Sequence, residues 1–190
     1  MGHYLKGINP NGEPIPDEPY WLDDSEYSEE QKKAYYAWQD NTPGAYFRND
    51  VWHWRPLWNF VCEVCDDILT QKDMEEGSSN NGHKISKTKA KKIAARLRKV
   101  DKDLEKHQID HERRNNNLPD EECELCGETG KRALNEEERL FLKNVPGGIH
   151  CDDCNGKGIQ SAFDTNYYFR ADNVRAFAEF CEYSGGFEIC

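Results

Sequence analysis

Four cysteines in the C-terminal half of the chain have the spacing of metal ligands. Cys123 and Cys126 are separated by two residues, and Cys151 and Cys154 repeat that spacing. Four thiolates in two such pairs suit a tetrahedral Zn²⁺ with Zn–S distances of about 2.3 Å. Because four sulfur ligands leave no coordination position for water or substrate, the pattern predicts one structural zinc ion.

A glycine follows four residues after the second thiol of each pair, at Gly130 and Gly158. Glycine turns at these positions bring backbone N–H groups toward the sulfur atoms, which stabilises thiolate charge. The 24 residues between Cys126 and Cys151 exceed the separation of about 15–20 that is common in small zinc ribbons. Residues 135–142 explain the excess, because their capping pattern predicts a short inserted helix.

The second cysteine pair, with Gly156 and Gly158, matches the C-x-x-C-x-G-x-G pattern of DnaJ-type zinc domains. The first pair departs from that pattern at Glu128, where the family has glycine. DnaJ-type domains carry four such knuckles and two zinc ions, whereas this chain has two knuckles. The resemblance covers about 36 residues. It implies the four zinc ligands and carries no implication of chaperone activity.

Cys62 and Cys65 also have C-x-x-C spacing, but they lie in the most hydrophobic run of the chain, residues 51–69. Apolar residues recur there every three or four positions, which is typical of a buried helical face. Buried core cysteines are therefore the favoured interpretation. A second metal site completed by Cys181, Cys190 or a histidine remains an alternative. Redox chemistry is the third, although a reactive thiol belongs at a helix N-terminus rather than mid-helix.

Two histidines, His107 and His111, are one turn apart on a predicted helix and could share a metal. Without the H-E-x-x-H arrangement of metalloproteases, solvated surface histidines are the simpler interpretation. The chain also lacks a phosphate-binding glycine loop and a nucleophile elbow. We therefore identify no catalytic residue, and the sequence favours a protein that is not an enzyme.

The segment Lys84–Lys99 is basic in a chain whose formal net charge is −11. Eight of its sixteen residues are Lys or Arg. A solvated face balanced by nearby acids is one interpretation, contact with nucleic-acid phosphates is a second, and contact with an acidic protein is a third. The candidate contact residues are Lys87, Lys91, Lys92, Arg96, Arg98 and Lys99.

The helical spacing of apolar residues along the chain predicts a mainly α protein, with α+β as the alternative, and the composition predicts an aromatic-rich core. Hydrophobic residues make up 36% of the chain and charged residues 32%, but five Trp, nine Tyr and eight Phe can each bury a large area. We expect an extended N-terminal arm at 1–27, a helical core domain formed by 28–120 and 159–190, and an inserted zinc-ribbon module at 121–158.

Four helices are predicted around this core. Ser28 begins a capping box, with a helix to about residue 39. Pro56 suits the first turn of the helix within residues 51–69. Ser86 caps a long helix that extends to about residue 113, with an apolar stripe at three- and four-residue spacing. A last helix covers 173–183, and residues 187–190 suit a final strand.

No secretory signal or membrane span is apparent. The first 16 residues are polar and contain three prolines, and no run approaches the roughly 18 apolar residues of a transmembrane helix. We expect an intracellular, cytoplasmic protein with reduced or metal-bound thiols, because disulfides need an oxidising compartment.

Three stretches carry a second resemblance: the Trp-rich segment 47–58, the segment 82–90 that begins Gly-His-Lys-Ile-Ser, and 177–187, which ends Ser-Gly-Gly-Phe. Together they resemble small phage and bacterial proteins of unassigned activity, so the likeness implies origin rather than mechanism. Our expectation is a non-enzymatic, zinc-containing interaction protein that binds a host macromolecule, and the resemblance allows a phage origin. The alternative is a nucleic-acid-binding regulator that uses the basic segment and the zinc module.

Overall fold

The computed structural model describes residues 2–17, 28–142 and 145–190, and it contains both helices and strands. It is 51% helical and 15% strand, so the mainly α prediction is corrected to a mixed α/β class. The chain divides into two units, one formed by Met1–His111 and Tyr167–Cys190, the other by Glu112–Asn166. The second unit contains the predicted module 121–158 and extends beyond it on both sides.

Within the described residues, the strands are β1 (Gly2–Gly7), β2 (Tyr46–Asp50), β3 (His83–Ser86), β4 (Glu121–Glu122), β5 (Lys131–Arg132), β6 (Ile149–His150), β7 (Ile159–Gln160) and β8 (Gly186–Ile189). The helices there are α1 (Glu29–Asn41), α2 (Val51–Val64), α3 (Gln71–Glu76), α4 (Lys87–Lys99), α5 (Leu104–Asn116), α6 (Glu136–Phe141) and α7 (Ala171–Tyr183).

An antiparallel four-stranded sheet in the order β2-β1-β8-β3 supports the first unit. Leu5 of β1 lies opposite Phe47 of β2 on one side and Ile189 of β8 on the other. On the far side of β8, Phe187 lies opposite Ile85 of β3. The chain's first and last strands are therefore neighbours in the middle of this sheet.

The N-terminal segment differs from the predicted arm. Gly2–Gly7 is an inner strand of the sheet, and His3 and Leu5 are buried while Tyr4 between them is exposed. The sequence did not predict this strand because its alternation of buried and exposed residues is short. The prolines at 10–16 also favour an extended arm over a strand. The part of the predicted arm between 18 and 27 lies outside the described residues.

Helix α2 supplies the centre of the core. Trp54, Leu57, Trp58 and Val61 are almost fully buried, as their spacing predicts. Asp50, whose side chain accepts a hydrogen bond from the His53 N–H at 2.9 Å, caps the helix. The helix thus begins earlier than expected, and Pro56 lies inside it rather than in its first turn.

The long helix predicted after Ser86 is two helices. Ser86 caps α4 as expected, but α4 ends at Lys99 and a 3-10 turn at Asp101–Asp103 separates it from α5. Arg175 of α7 pairs with Asp101 and with Glu105 of α5, which holds the chain at this bend. The apolar stripe continues across the break because Leu97 and Leu104 are both buried.

Candidate metal centre

The second unit brings the four predicted ligands together. The Sγ atoms of Cys123, Cys126, Cys151 and Cys154 all lie within 4.8 Å of one another. The Sγ–Sγ distance is 3.7 Å between Cys123 and Cys151 and 3.5 Å between Cys126 and Cys154. A regular tetrahedron with Zn–S bonds of about 2.3 Å has edges of about 3.8 Å. The sulfur cluster therefore has the dimensions that a tetrahedral metal ion of this size requires.

The two knuckles hold each other through exchanged backbone hydrogen bonds. The Cys123 N–H donates to the Gly158 carbonyl at 2.9 Å, and the Cys151 N–H donates to the Gly130 carbonyl at 3.1 Å. Each bond joins the first cysteine of one knuckle to the last glycine of the other. Two short ribbons continue this arrangement, because β4 pairs with β7 and β5 pairs with β6. The scaffold thus places the two pairs face to face.

Glycine is required where each knuckle ends. Gly130 and Gly158 have φ of +67° and +80°, a left-handed backbone that L residues rarely adopt. A Cβ atom at Gly130 would lie 2.1 Å from the Gly156 carbonyl oxygen, and one at Gly158 would lie 2.3 Å from that of Glu128. Both knuckles therefore depend on these glycines for conformation and for close approach.

The departure from the DnaJ-type pattern at Glu128 has a local explanation. Its counterpart in the second knuckle, Gly156, has a φ of +72°, whereas Glu128 lies in a 3-10 turn without a left-handed φ. The preceding positions, Gly127 and Asn155, have φ of +58° and +49°, so both knuckles have the same left-handed backbone there. The first knuckle therefore turns differently at one residue, and a side chain fits there.

The environment of the sulfurs prepares part of the cluster for ionisation. Burial raises the pKa of Cys154, but the Gly158 N–H, 3.2 Å from Sγ, and the neighbouring sulfurs outweigh it and lower this pKa to about 7. Burial and the thiol hydrogen bonds raise the pKa of Cys126 to about 12. Deprotonating all four thiols therefore needs the positive charge of a metal, so binding would release protons.

An ion pair between residues that no sequence motif links supports the module. The Arg132 guanidinium of β5 binds both carboxylate oxygens of Glu138 in α6, at 2.7 and 2.6 Å. The hydrogen bonds from Arg132, with one from the Asn135 N–H, hold the pKa of Glu138 at about 2. Glu138 also completes the capping box of α6 with Asn135. The capping pattern indicated the helix, but the partner Arg132 required the tertiary structure.

The other predicted cysteine sites do not form a second cluster. Among the described residues, the four cysteines of the second unit are the only group of three or more Cys, His, Asp or Glu side chains close enough to hold a metal. Cys65 and Cys181 are fully buried in the first unit. Burial raises the pKa of Cys62 to about 11 and that of Cys65 to about 12, which opposes thiolate chemistry.

The two histidines of α5 are half-buried rather than solvated. The His107 ring lies 4.7 Å from the Phe60 ring and 4.5 Å from the Phe169 ring, measured between centroids. His111 contacts Phe169 at 6.1 Å. Their one-turn spacing therefore serves packing against aromatic side chains of the first unit.

Helix α4 uses two of its six predicted contact residues internally. Arg96 binds Asp67 at 2.8 Å and the Val64 carbonyl, and Arg98 binds Glu182. Four other lysines on the helix are exposed, and none has an ion pair to a described residue: Lys87, Lys91, Lys92 and Lys99. The predicted basic surface is therefore smaller than the sequence indicates.

No family model, no curated protein and no solved structure matches this chain. Across residues 2–17, 28–142 and 145–190, no helix has both the length and the apolar character needed to cross a membrane.

Proposed function

We propose that the protein is a non-enzymatic binding protein whose second unit is a zinc ribbon, stabilised by one structural Zn²⁺ at Cys123, Cys126, Cys151 and Cys154. The observation that carries this proposal is the closed set of four sulfurs at tetrahedral spacing. A metal surrounded by four thiolates has no position for a substrate. Its contribution is folding energy, because ligands brought together by the metal order the segments that carry them.

Zinc is favoured over other metals by the chemistry of the ligands. Four thiolates at tetrahedral spacing suit Zn²⁺ or a single iron, whereas oxygen-preferring cations such as Mg²⁺ and Ca²⁺ are poor matches. Zn²⁺ has one stable oxidation state, so a zinc site does not depend on the redox conditions around it. Metal analysis and the absorption spectrum distinguish the two candidates, since a ferric four-sulfur centre is coloured and a zinc centre is not.

The surface of the second unit supports a role in binding another protein. Leu140 and Phe141 of α6 are 72% and 84% exposed, which is unusual for large apolar side chains. Between Glu112 and Asn166 there are twelve acidic and seven basic residues, and a four-thiolate zinc site adds two further negative charges. The partner we propose is a protein with an apolar pocket surrounded by Lys and Arg side chains. If the chain is phage-encoded, that partner belongs to the host.

The structural metal is tested by removing it. We expect one zinc per chain, and we expect chelation to make the second unit susceptible to protease and to collapse its amide resonances into the narrow range of an unfolded chain. The Cys151→Ser variant should behave like the chelated protein, while Cys62→Ser should retain the metal. A metal-free chain that keeps the protease pattern of residues 112–166 would contradict the proposal.

The binding role is tested by affinity capture from bacterial lysate with nuclease treatment. A single stoichiometric protein should survive nuclease, dissociate with salt and be lost for the Phe141→Ser variant. Phe163→Ser is the matched control, because Phe163 is also exposed in the second unit, at 57%. Equal capture by Phe141→Ser and the unmodified protein would exclude α6 as the binding surface.

The nucleic-acid-binding regulator remains the second candidate, on the strength of the four exposed lysines of α4. Binding of DNA or RNA through phosphates should weaken steeply with salt. It should also fall when Lys91, Lys92 and Lys99 are replaced together by Gln. Binding that is insensitive to salt or to these replacements would remove this candidate.

A further inference from the structure

A groove in the first unit is lined by two of the four exposed lysines of α4 and by Arg98. The groove has a volume of about 560 Å³ and lies between α4, the end of α7 and the turn after β1. Lys87, Lys91 and Arg98 contribute their side chains to it. These three positions lie on one face of the helix because they are separated by four and seven residues. The other two exposed lysines of α4, Lys92 and Lys99, do not line it.

Small side chains give this groove its depth. Ala94 and Ala95 form the helix surface between Lys91 and Arg98, where longer side chains would occupy the space. The opposite wall is backbone-rich and includes Gly12 and Gly185. Gly185 has a φ of +67°, and a Cβ atom there would lie 2.3 Å from the Asn9 carbonyl oxygen. The groove thus exists because two chain segments approach each other closely beside an alanine-lined helix face.

Polar groups without internal partners line the same space. Neither Lys87 nor Lys91 forms a hydrogen bond or ion pair with a described residue. The side-chain amides of Asn9 and Asn11 in the turn have no hydrogen-bond partner there either, although Asn9 occupies the position before a 3-10 turn where a side chain often caps. Four polar groups at one concave surface therefore remain available to a ligand.

The charge of the groove selects an anion. Lys87, Lys91 and Arg98 are opposed by one carboxylate, Glu182, which binds Arg98 with an Nε–Oε2 distance of 3.0 Å. The local formal charge is therefore +2 in a chain whose total is −11. A phosphate monoester carries a charge of about −1.5 to −2 near neutral pH, and lysine ammonium groups are common phosphate ligands.

We propose that this groove binds a small phosphate monoester. The phosphate lies between Lys87 and Lys91, and the organic part lies over Ala94 and Ala95 toward Tyr183, with Asn9 and Asn11 donating to its hydroxyl or ring acceptors. The volume falls within the range of about 300–1,000 Å³ typical of small-molecule sites. This site is independent of the metal centre and of the partner surface on α6.

The experiment is calorimetric titration of the full-length, metal-loaded protein at low ionic strength with adenosine 5′-monophosphate, ribose 5-phosphate and inorganic phosphate. Adenosine and ribose are the unphosphorylated controls. We expect saturable binding of at least one phosphate ester and none of the controls. If both esters bind equally, the sugar phosphate is sufficient; if only the nucleotide binds, the base also contacts the groove. Absence of saturable binding of every phosphate probe at millimolar concentration overturns the proposal.

Variants separate the groove from general attraction of anions. Lys87→Gln and Lys91→Gln should each weaken binding about tenfold, the effect of losing one charge-assisted contact. Lys92→Gln and Lys99→Gln remove the same charge from the same helix outside the groove and should change affinity by less than about twofold. Ala95→Leu should abolish binding without altering charge, because it fills the groove. Equal losses from the Lys91 and Lys92 variants overturn the proposal, as does unchanged binding by Ala95→Leu.

A single-stranded oligonucleotide is the last probe. If it binds while the small esters do not, and if Lys92 and Lys99 contribute as much as Lys87 and Lys91, the small-ligand proposal fails and the nucleic-acid candidate is favoured. Thermal unfolding of each variant checks that it is folded, so that a loss of binding is attributable to the groove.

Discussion

The backbone N–H of Tyr168 donates a hydrogen bond to the carbonyl oxygen of Trp52 at 2.9 Å. Trp52 lies four residues before Pro56 in α2. In a regular helix its carbonyl would accept a hydrogen bond from the backbone N–H of residue 56, but proline has no N–H. A loop segment that is distant in sequence therefore satisfies the acceptor that Pro56 leaves open. This contact explains how a proline is accommodated inside the central helix of the core.

Amide hydrogen exchange tests this contact directly. Tyr168 lies outside any helix or strand, yet we expect its amide to exchange slowly, because exchange requires its hydrogen bond to the Trp52 carbonyl to break. The Pro56→Ala variant supplies a competing helical N–H and should speed exchange at Tyr168. Exchange at the rate of an unstructured peptide in the unmodified protein would contradict the contact.

Replacing Gly158 should weaken metal binding more than replacing another left-handed glycine of the same unit. Gly147 has a φ of +85°, and no atom lies within 4 Å of the position that a Cβ would occupy. Gly147→Ala should therefore reduce the free energy of metal binding by no more than the backbone strain of about 1 kcal/mol. Gly158→Ala adds the conflict with the Glu128 carbonyl and should cost roughly 2 kcal/mol more. Chelator competition measures both, and equal affinities for the two variants would be evidence against the close approach.

Gly77 should be intolerant of alanine for a purely steric reason. Its φ of −67° suits any residue, but a Cβ atom would lie 2.1 Å from the Trp58 ring. We expect Gly77→Ala to destabilise the protein by about 1–3 kcal/mol in chemical denaturation. Trp58→Phe shortens the ring and should reduce this cost when the two are combined. Strictly additive effects would show that the ring and Gly77 are not coupled.

Asp73 should make stability depend on acid pH. It is 4% exposed; burial raises its pKa, but hydrogen bonds from Lys89 and Thr70 outweigh burial and hold the pKa well below its usual value. A carboxyl whose pKa is lower in the folded than in the unfolded chain stabilises the folded state at any pH above its unfolded pKa of about 3.9. This stabilisation is lost as the pH falls toward the folded-state pKa.

The Asp73→Asn variant should therefore lose about 3 kcal/mol at pH 7, and the difference from the unmodified protein should shrink as the pH falls below about 4. Asp67→Asn is the control, since Asp67 pairs with Arg96 but is largely exposed, and its effect should be much smaller. A pH-independent difference for Asp73→Asn would mean that packing, not ionisation, is responsible.

Local features were predictable from the sequence because neighbouring residues determine them. The spacing of Cys123 and Cys126, the glycine after each knuckle and the capping boxes at Ser28 and Asn135 all act within a few residues, and the structure has each of them. The buried face of α2 follows from helical periodicity in the same way. What was missed locally is the strand Gly2–Gly7, whose alternation is too short to outweigh the prolines that follow it.

The tertiary structure alone decided which segments meet. Periodicity cannot show that the first and last strands pair, or that Tyr168 donates to the carbonyl that Pro56 leaves unpaired. It also cannot show that Arg96 and Arg98 form ion pairs with acidic side chains, whereas Lys87 and Lys91 line a groove. These contacts join residues that are separated by tens of residues or more, so their energies depend on the folded chain rather than on local sequence. The sequence by itself determined which four cysteines cluster, because their spacing is local, and the fold decided which of the charged side chains remain free to bind.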